Sequence, residues 1–326
     1  MTKEVSCPSE GDRVLFVRFS SLGDVVLAMK EAKALKERFP HVELWWLCCK
    51  EYEGLLLPQP YVDGVIGWDR GEGRLSVFKL VDRIRGMGFK WLYSVHDNDR
   101  TALIALLSRI PFRVGRHRHF SFPFHASREE AWSAWGGKTR PLKSLYGDTD
   151  RTDALRRDLP PGGLVMCILG TSKPYKTWPV DRWIEMISRL PSDLTAVLTG
   201  SGPEESAMAG AIESSVGPGR VVNLVDRLDL LDLVSLCELA ACAVGGDTGP
   251  MHMAREAGIP CVGLFAVKDP VKCASQEGPN LTTLISPLAV DSYDALKVSA
   301  DPAAVMGAID PGEVLSNVIK AVGGAA

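Results

Sequence analysis

With 326 residues the chain has room for two domains, and 46% apolar with 24% charged residues is the balance of a soluble globular protein. The polar start, MTKEVSCPSEGDR, reads as no secretory signal, and the longest apolar candidate, LLDLVSLCELAACAVGG, carries Asp232 and Glu238, which argues against a membrane span. A net charge of −3 argues against general nucleic-acid affinity and for an anionic partner at one local basic surface.

Eight cysteines lack a C-x-x-C pair; Cys48 and Cys49 are adjacent, and Cys237 and Cys242 are expected on one helix. Neither a zinc site nor a disulfide framework is suggested, so the expectation is free thiols in a reducing cytoplasm. The elements begin with a buried strand, VLFVRF, opening at Arg13–Val17. SSLGD follows, then an amphipathic helix, VVLAMKEAKALKERF, and a second strand, VELWWLCC. Strand, helix, strand at this spacing is a βαβ unit and predicts a parallel sheet. No G-x-G-x-x-G occupies the first turn, which counts against a dinucleotide enzyme.

VDGVIGW, a helix near Leu75–Arg85, the strand KWLYSVH, a helix TALIALLSRI and a short strand FRVGR come next. From about Arg116 to Asp158 periodicity is poor, with helices expected at Ser127–Trp135 and near Asp150–Arg157. Nine Lys or Arg stand against two Glu between Arg100 and Leu145, so this stretch carries +7 and the remainder −10. FSFPF, Trp132 and Trp135 interleave with it. No recognised RNA-binding module accompanies the patch. Pro160-Pro161-Gly162-Gly163 is a breaker cluster ahead of a new strand and the best domain boundary.

The second half restarts the pattern: strand LVMCILG, polar loop TSKPYKTWP, helix VDRWIEMISRL, strand LTAVLTG, helix EESAMAGAIESSV, strand VVNLV, helix DLLDLVSLCELA. AVGGDTGPMHMAREAGIPCVGLF then reads as a strand end, a sharp turn, a short helix and a buried strand. Asp247 or Thr248 can cap that helix, Pro250 suits its first turn, and Gly258 with Pro260 ends it. Free N–H groups at such a turn attract anions, phosphate above all, and His252 sits in the first turn. Little periodicity shows between Val267 and Asp310; PGEVLSNVIKAV closes the chain as a helix.

Parallel sheets bind ligands beyond the carboxyl ends of their strands, where three of these loops fall. In Ser20-Ser21-Leu22-Gly23-Asp24, Gly23 permits close approach or an unusual backbone angle. Asp24 in the first helical turn is stabilised as an anion by about 0.3–1 kcal/mol and can act as a general base. In Gly170–Pro179, Thr171, Ser172 and Lys176 form a plausible diphosphate cradle; the Walker pattern does not fit. Glu204 starts a helix four residues after Gly200. Asp97-x-Asp99 spells the D-x-D of metal-dependent glycosyltransferases, which belong to a different fold, although two acids are common at a helix start.

SSLGD after the first strand, G-T-S-x-x-x-K-x-W-P at Gly170–Pro179, G-x-x-x-E at Gly200–Glu204 and DTG-x-x-H at Asp247–His252 together resemble glycosyltransferase family 9, the lipopolysaccharide heptosyltransferases. Ser94, where relatives often have Asp, and AVKDP after the last strand depart from the pattern. The resemblance implies the α/β GT-B fold: two facing Rossmann-like doubly wound domains with a cleft between them. Residues 1–159 would bind the acceptor and 160–326 the nucleotide-sugar donor, the last helix being able to pack back on the first domain. It implies inverting transfer of heptose from ADP-heptose to an anionic glycolipid acceptor of the lipopolysaccharide core, without cofactor or metal. Asp24 would be the base and Lys176 would stabilise the leaving diphosphate. Thr171, Ser172, Lys176, Glu204, Asp247, Thr248, Gly249 and His252 would hold the donor, and Ser21, Gly23, Arg100 and Arg116 the acceptor. Nucleic acid is not an expected partner; the inner membrane face is, touched peripherally from the cytoplasm. A nucleotide-sugar epimerase of similar fold, a family relative using another sugar, and a non-enzymatic nucleotide- or RNA-binding protein are the alternatives.

Overall fold

The computed structural model describes residues 6–69, 71, 73, 76–119, 121–139, 141–171, 173–274, 278–299 and 301–324. Apolar runs that are buried on both faces make most of its strands, the mark of parallel sheets covered by helices. In the first unit these are β1 (Arg13–Val17), β2 (Glu43–Cys49), β3 (Gly64–Trp68), β4 (Trp91–Ser94) and β5 (Phe112–Val114). Five helices accompany them: α1 (Leu22–Arg38), α2 (Glu53–Leu56), α3 (Ser76–Gly86), α4 (Asp99–Leu107) and α5 (Arg128–Ala134). Every pairing is parallel and the order is β3-β2-β1-β4-β5. The chain winds outward from β1 one way, then crosses to β4 and winds the other way. The switch point lies between β1 and β4, where such folds place their ligands.

The second unit opens with α6 (Thr149–Asp158) and builds β6 (Gly163–Ile168), α7 (Val180–Ser188), β7 (Leu194–Thr199), α8 (Pro203–Val216), β8 (Val221–Asn223) and α9 (Leu230–Leu239). It continues with β9 (Cys242–Gly245), α10 (Gly249–Glu256), β10 (Cys261–Val267), α11 (Pro270–Ala274) and β11 (Leu281–Val290). Three helices end it: α12 (Tyr293–Lys297), α13 (Pro302–Gly307) and α14 (Pro311–Gly323). The order is β11-β10-β9-β6-β7-β8, all parallel, with its switch point between β6 and β9. Its core gathers Val165, Trp178, Trp183, Leu198, Val244, Leu264 and Val318.

The compact units are Met1–Ser144 and Leu145–Ala326, so the division precedes the breaker cluster at 160–163. The reason is α6, which packs on α9 and fixes Arg151 to Asp229 at 2.8 Å and Asp232 at 2.7 Å. The last helix, α14, packs on α7, β9 and β10 of its own unit. Cys237 ends up on α9 and Cys242 on β9, not on one helix, and none of the eight cysteines is in a disulfide. The poorly periodic stretch after Arg116 is held by aromatic packing instead of pattern. Trp132 on α5 donates to the Tyr93 hydroxyl at 2.7 Å, Tyr93 bonds Glu31 of α1, and Trp135 packs against Trp91, Tyr93 and Phe39.

Candidate active site

The loop after β1 and the loop after β4 flank the first switch point, and Arg18 joins them. Its Nη1 donates to the Val95 carbonyl at 2.9 Å, and its Nη2 reaches Asp24 Oδ2 at 2.7 Å. Ser21 caps α1 reciprocally with Asp24, its N–H and hydroxyl lying 3.1 and 3.0 Å from the same oxygen. The Arg18 side chain is 17% exposed and that of Asp24 48%, so the cation lies inside and the carboxylate faces out. Burial alone would raise the Asp24 carboxyl. The Arg18 guanidinium and the Ser21 hydrogen bonds outweigh it and hold the group below its ordinary value. Asp24 is therefore an anion at neutral pH, aimed outward at a helix N-terminus. Gly23 is helical, so an unusual backbone angle is not what it supplies. Arg18 is the residue that motif reading passes over: it stands just before the loop, in a strand-like run, with no local pattern to mark it.

At the second switch point the loops after β6 and β9 press together. A Cβ at Gly245 would lie 2.7 Å from Ile168 Cβ, and one at Gly246 3.1 Å from the Lys176 carbonyl oxygen. The paired glycines are thus demanded by close approach. Lys176, in a 3-10 turn at Pro174–Lys176, sets its Nζ 2.7 Å from Asp247 Oδ2 and 3.5 Å from the centre of the Tyr293 ring. His252 Nε2 lies 3.7 Å from Asp247 Oδ1, and Arg255 Nη1 lies 3.5 Å from His252 Nδ1. Lys176 and Asp247 are 16% and 11% exposed. Tyr293 is shifted up by burial first and then by Asp247, to which it is hydrogen-bonded. Thr248, not Asp247, caps α10, accepting from Met251 N at 3.3 Å, which contributes about 0.5–2 kcal/mol to the helix. Gly249 is the first residue of α10. His252 is buried rather than solvent-facing, because α10 sits with every residue from Met251 to Glu256 inside. Thr171 turns its hydroxyl back on its own loop, accepting from Lys173 N at 3.0 Å; Ser172 lies outside the described residues.

The expected Glu204 is exposed at the start of α8. Its neighbour Glu205 instead lies over the ends of β6 and β7, filling the space that a Cβ at Gly170 or Gly200 would need. Two adjacent glutamates leave a spacing argument unable to choose. Arg100 places its guanidinium 5.0 Å from the centre of the Trp68 ring. Arg116 Nε pairs with Asp97 Oδ2 at 2.8 Å, and Asp99 Oδ1 meets His117 Nε2 at 2.5 Å. Both carboxylates of the D-x-D stretch thus face basic partners. The basic surface is also smaller than its sequence count. Arg113 spends its guanidinium on the Ile110 and Pro123 carbonyls, while Arg128 and Lys138 turn to Glu31, leaving Arg100, Arg109, Arg116 and Arg118 exposed.

Among the described residues no helix is long and apolar enough to cross a membrane. The family model described as glycosyltransferase family 9 (heptosyltransferase) matches residues 135–289, which contain the Lys176, Asp247 and His252 loops. A lipopolysaccharide core heptosyltransferase of Haemophilus influenzae, OpsX, is 22% identical over 296 residues, 83% of each chain. The crystal structure of a family 9 glycosyltransferase from Veillonella parvula superposes with a TM-score of 0.81 at 17% identity, covering 98% of both chains. The ADP-heptose lipopolysaccharide heptosyltransferase II of Escherichia coli gives 0.75 at 20% identity, covering 95% of this chain and 98% of that one. Both share the GT-B fold built from two such sheets. The family match thus falls on the loops that crowd the second switch point, and over residues 135–289 the chain is similar to glycosyltransferase family 9, the heptosyltransferases.

Proposed function

We propose that this enzyme transfers a heptose from ADP-heptose to a sugar of the lipopolysaccharide core, with inversion, and that Asp24 is the general base. The observation that carries the reading is that each unit has a strand-end site of its own. One holds an outward-facing, ionised carboxylate; the other holds a nearly buried ammonium beside a helix N-terminus. Asp24 takes the proton of the acceptor hydroxyl as its oxygen attacks the anomeric carbon, and the C–O bond to the diphosphate breaks. Lys176 and the first N–H groups of α10 take up the charge that develops on the departing ADP, the kind of electrostatic stabilisation that is usually the largest catalytic term. His252 supports Asp247, and Glu205, lying over the loop ends, would accept from donor hydroxyls beside Glu204. Exposed Arg109 and Arg118, and exposed Leu106 and Phe122, are side chains of the kinds an anionic bilayer face would take up.

Following ADP release from ADP-heptose with a lipopolysaccharide core acceptor tests this. Asp24→Asn should lower turnover by at least about 100-fold, the scale of a lost general base, while calorimetric affinity for ADP stays near the wild-type value. Near-normal turnover in that variant removes Asp24 from the mechanism. Activity should also persist in EDTA, since an ammonium and a helix terminus stand where other glycosyltransferases use a cation.

A further inference from the structure

Asp226 stands just past β8 and takes no part in the chemistry above, yet its backbone is an exception. Its φ is +59°, a left-handed angle that glycine adopts freely and other residues adopt at a cost. Among the described residues of the second unit, every other such angle belongs to a glycine. Glycine would serve at this position without strain. What the position gains from aspartate is therefore the side chain.

Both of its carboxylate oxygens are engaged by the neighbouring turn. Oδ1 accepts from Gly202 N at 2.7 Å, and Oδ2 accepts from the Ser206 hydroxyl at 2.6 Å. The Asp226 N–H completes the tie by donating to the Gly200 carbonyl at 3.1 Å. The Ser206 hydroxyl first, and then the Gly202 N–H, hold the carboxyl below its ordinary value. It thus accepts both bonds as an anion at neutral pH, which strengthens them. Gly202 precedes α8 with no side chain to cap it, and a turn carrying Gly200 and Gly202 has little stiffness of its own. One residue of the next turn braces the start of α8 from outside.

The brace acts across the sheet. β8, β7 and β6 are neighbours in that order and parallel, so the turns at their carboxyl ends stand side by side. Glu205, in the first turn of α8, is half-buried and fills the space that a side chain at Gly170 would need. A Cβ at Gly200 would lie 2.9 Å from that of Glu205. Gly170 lies in the loop that carries Thr171 and Lys176. Contacts therefore run from Asp226 to the first turn of α8, and from there to the loop after β6. A slack turn at Gly200–Gly202 would let Glu204 and Glu205 swing away from that loop. Carboxylates repel a diphosphate and accept from hydroxyls, so the part of a bound nucleotide that they suit is the ribose. We propose that Asp226 is a positioning residue for the donor, holding the first turn of α8 so that Glu204 and Glu205 meet the ribose hydroxyls. That the ligand is a nucleotide sugar rests on the reaction proposed above; the brace rests on the geometry of the three turns alone.

Calorimetric titration of the full chain with ADP and with inorganic pyrophosphate, which has the charge but no hydroxyls, tests this role. Asp226→Gly keeps the left-handed backbone and removes the brace. It should weaken ADP binding by about three- to tenfold, the scale of one exposed hydrogen bond, and leave pyrophosphate at its wild-type affinity. KM for ADP-heptose should rise with it while kcat stays nearly unchanged. Asp226→Asn, whose amide oxygen can accept from Gly202 N and whose amide N–H can donate to Ser206, should restore ADP binding. In a chain already carrying Glu204→Ala and Glu205→Ala, Asp226→Gly should cost no further affinity. Unchanged ADP binding in Asp226→Gly, an equal loss for pyrophosphate, or the same loss without the two glutamates would overturn the role. Failure of the wild-type chain to bind ADP would instead sink the proposed reaction. Hydrogen exchange at the Gly202 amide still judges the brace in that case: it should be faster in Asp226→Gly, and equal rates would reject it.

Discussion

A general base works best with a pKa near the operating pH, yet at Asp24 the Arg18 ion pair and two Ser21 contacts overcome burial and hold the carboxyl below its ordinary 3.8. The result is a weak base that is always ready. Its pKa is depressed on folding, so the stability it contributes is present above about 3.8 and is lost as pH falls through the folded value. Because the pair is half exposed, that contribution is no more than about 1 kcal/mol, and the fold should survive its loss. Arg18→Gln should therefore raise the Asp24 pKa and move the acid limb of the kcat/KM profile to higher pH, with the melting temperature at neutral pH little changed. An unmoved acid limb would detach Arg18 from Asp24. Asp24 was legible as a carboxylate at a helix start because helix N-caps have a local signature. Arg18 was illegible because its partners, Val95 and Asp24, are defined by the sheet and the turn that follows. Tyr293 was illegible for the same reason, standing far along the chain from the Lys176 and Asp247 it meets.

Glycine pairs show at the scale of elements how a loop and a strand share one constraint. Gly245 ends β9, and its missing Cβ is the space occupied by Ile168; Gly246 belongs to the turn, and its missing Cβ is space next to the Lys176 carbonyl. Gly245→Ala should act on the core, with overpacking costing about 1–3 kcal/mol and a lowered melting temperature. Gly246→Ala asks the Lys176 loop to retreat by a few tenths of an ångström, which should weaken ADP binding several-fold at nearly wild-type stability. Thermal melts and calorimetry on the two variants separate the effects, and identical profiles would refute the distinction. Most strands and helices were legible because continuous apolar runs alternated with amphipathic ones. The stretch from Val267 to Asp310 was not. Its β11 is an edge strand interrupted by Pro287, which only an edge tolerates. Its pairing with β10 shifts register between Phe265 and Val267, and the three helices around it are five or six residues long, too short to show a period.

For the chain as a whole, the doubly wound architecture could be read from its alternation, but the place where one unit gives way to the next could not. A Pro-Pro-Gly-Gly cluster marks a break in backbone regularity; it does not say which side its preceding helix packs on. Since α6 covers α9 through Arg151, Asp229 and Asp232 and through Thr152, a fragment starting at Leu145 should fold, bind ADP and melt cooperatively. One starting at Pro160 should melt at a lower temperature or aggregate, with the α9 face uncovered. Equal melting curves for the two fragments, followed by circular dichroism, would assign α6 no part in the second unit.

Lys176 is already satisfied before any ligand arrives: Asp247 neutralises it and the Tyr293 ring lies under it. A diphosphate bound there as proposed would have to displace an internal rival, so its binding would be an exchange of counter-ions and not the filling of an empty cationic hole. In the proposed reaction the Asp247 carboxylate would lower affinity on entry, reclaim the ammonium once the sugar has left, and hasten departure of the spent nucleotide. Removing that rival by Asp247→Asn would tighten the grip on product as well as on donor, turning a site tuned for turnover into one tuned for retention.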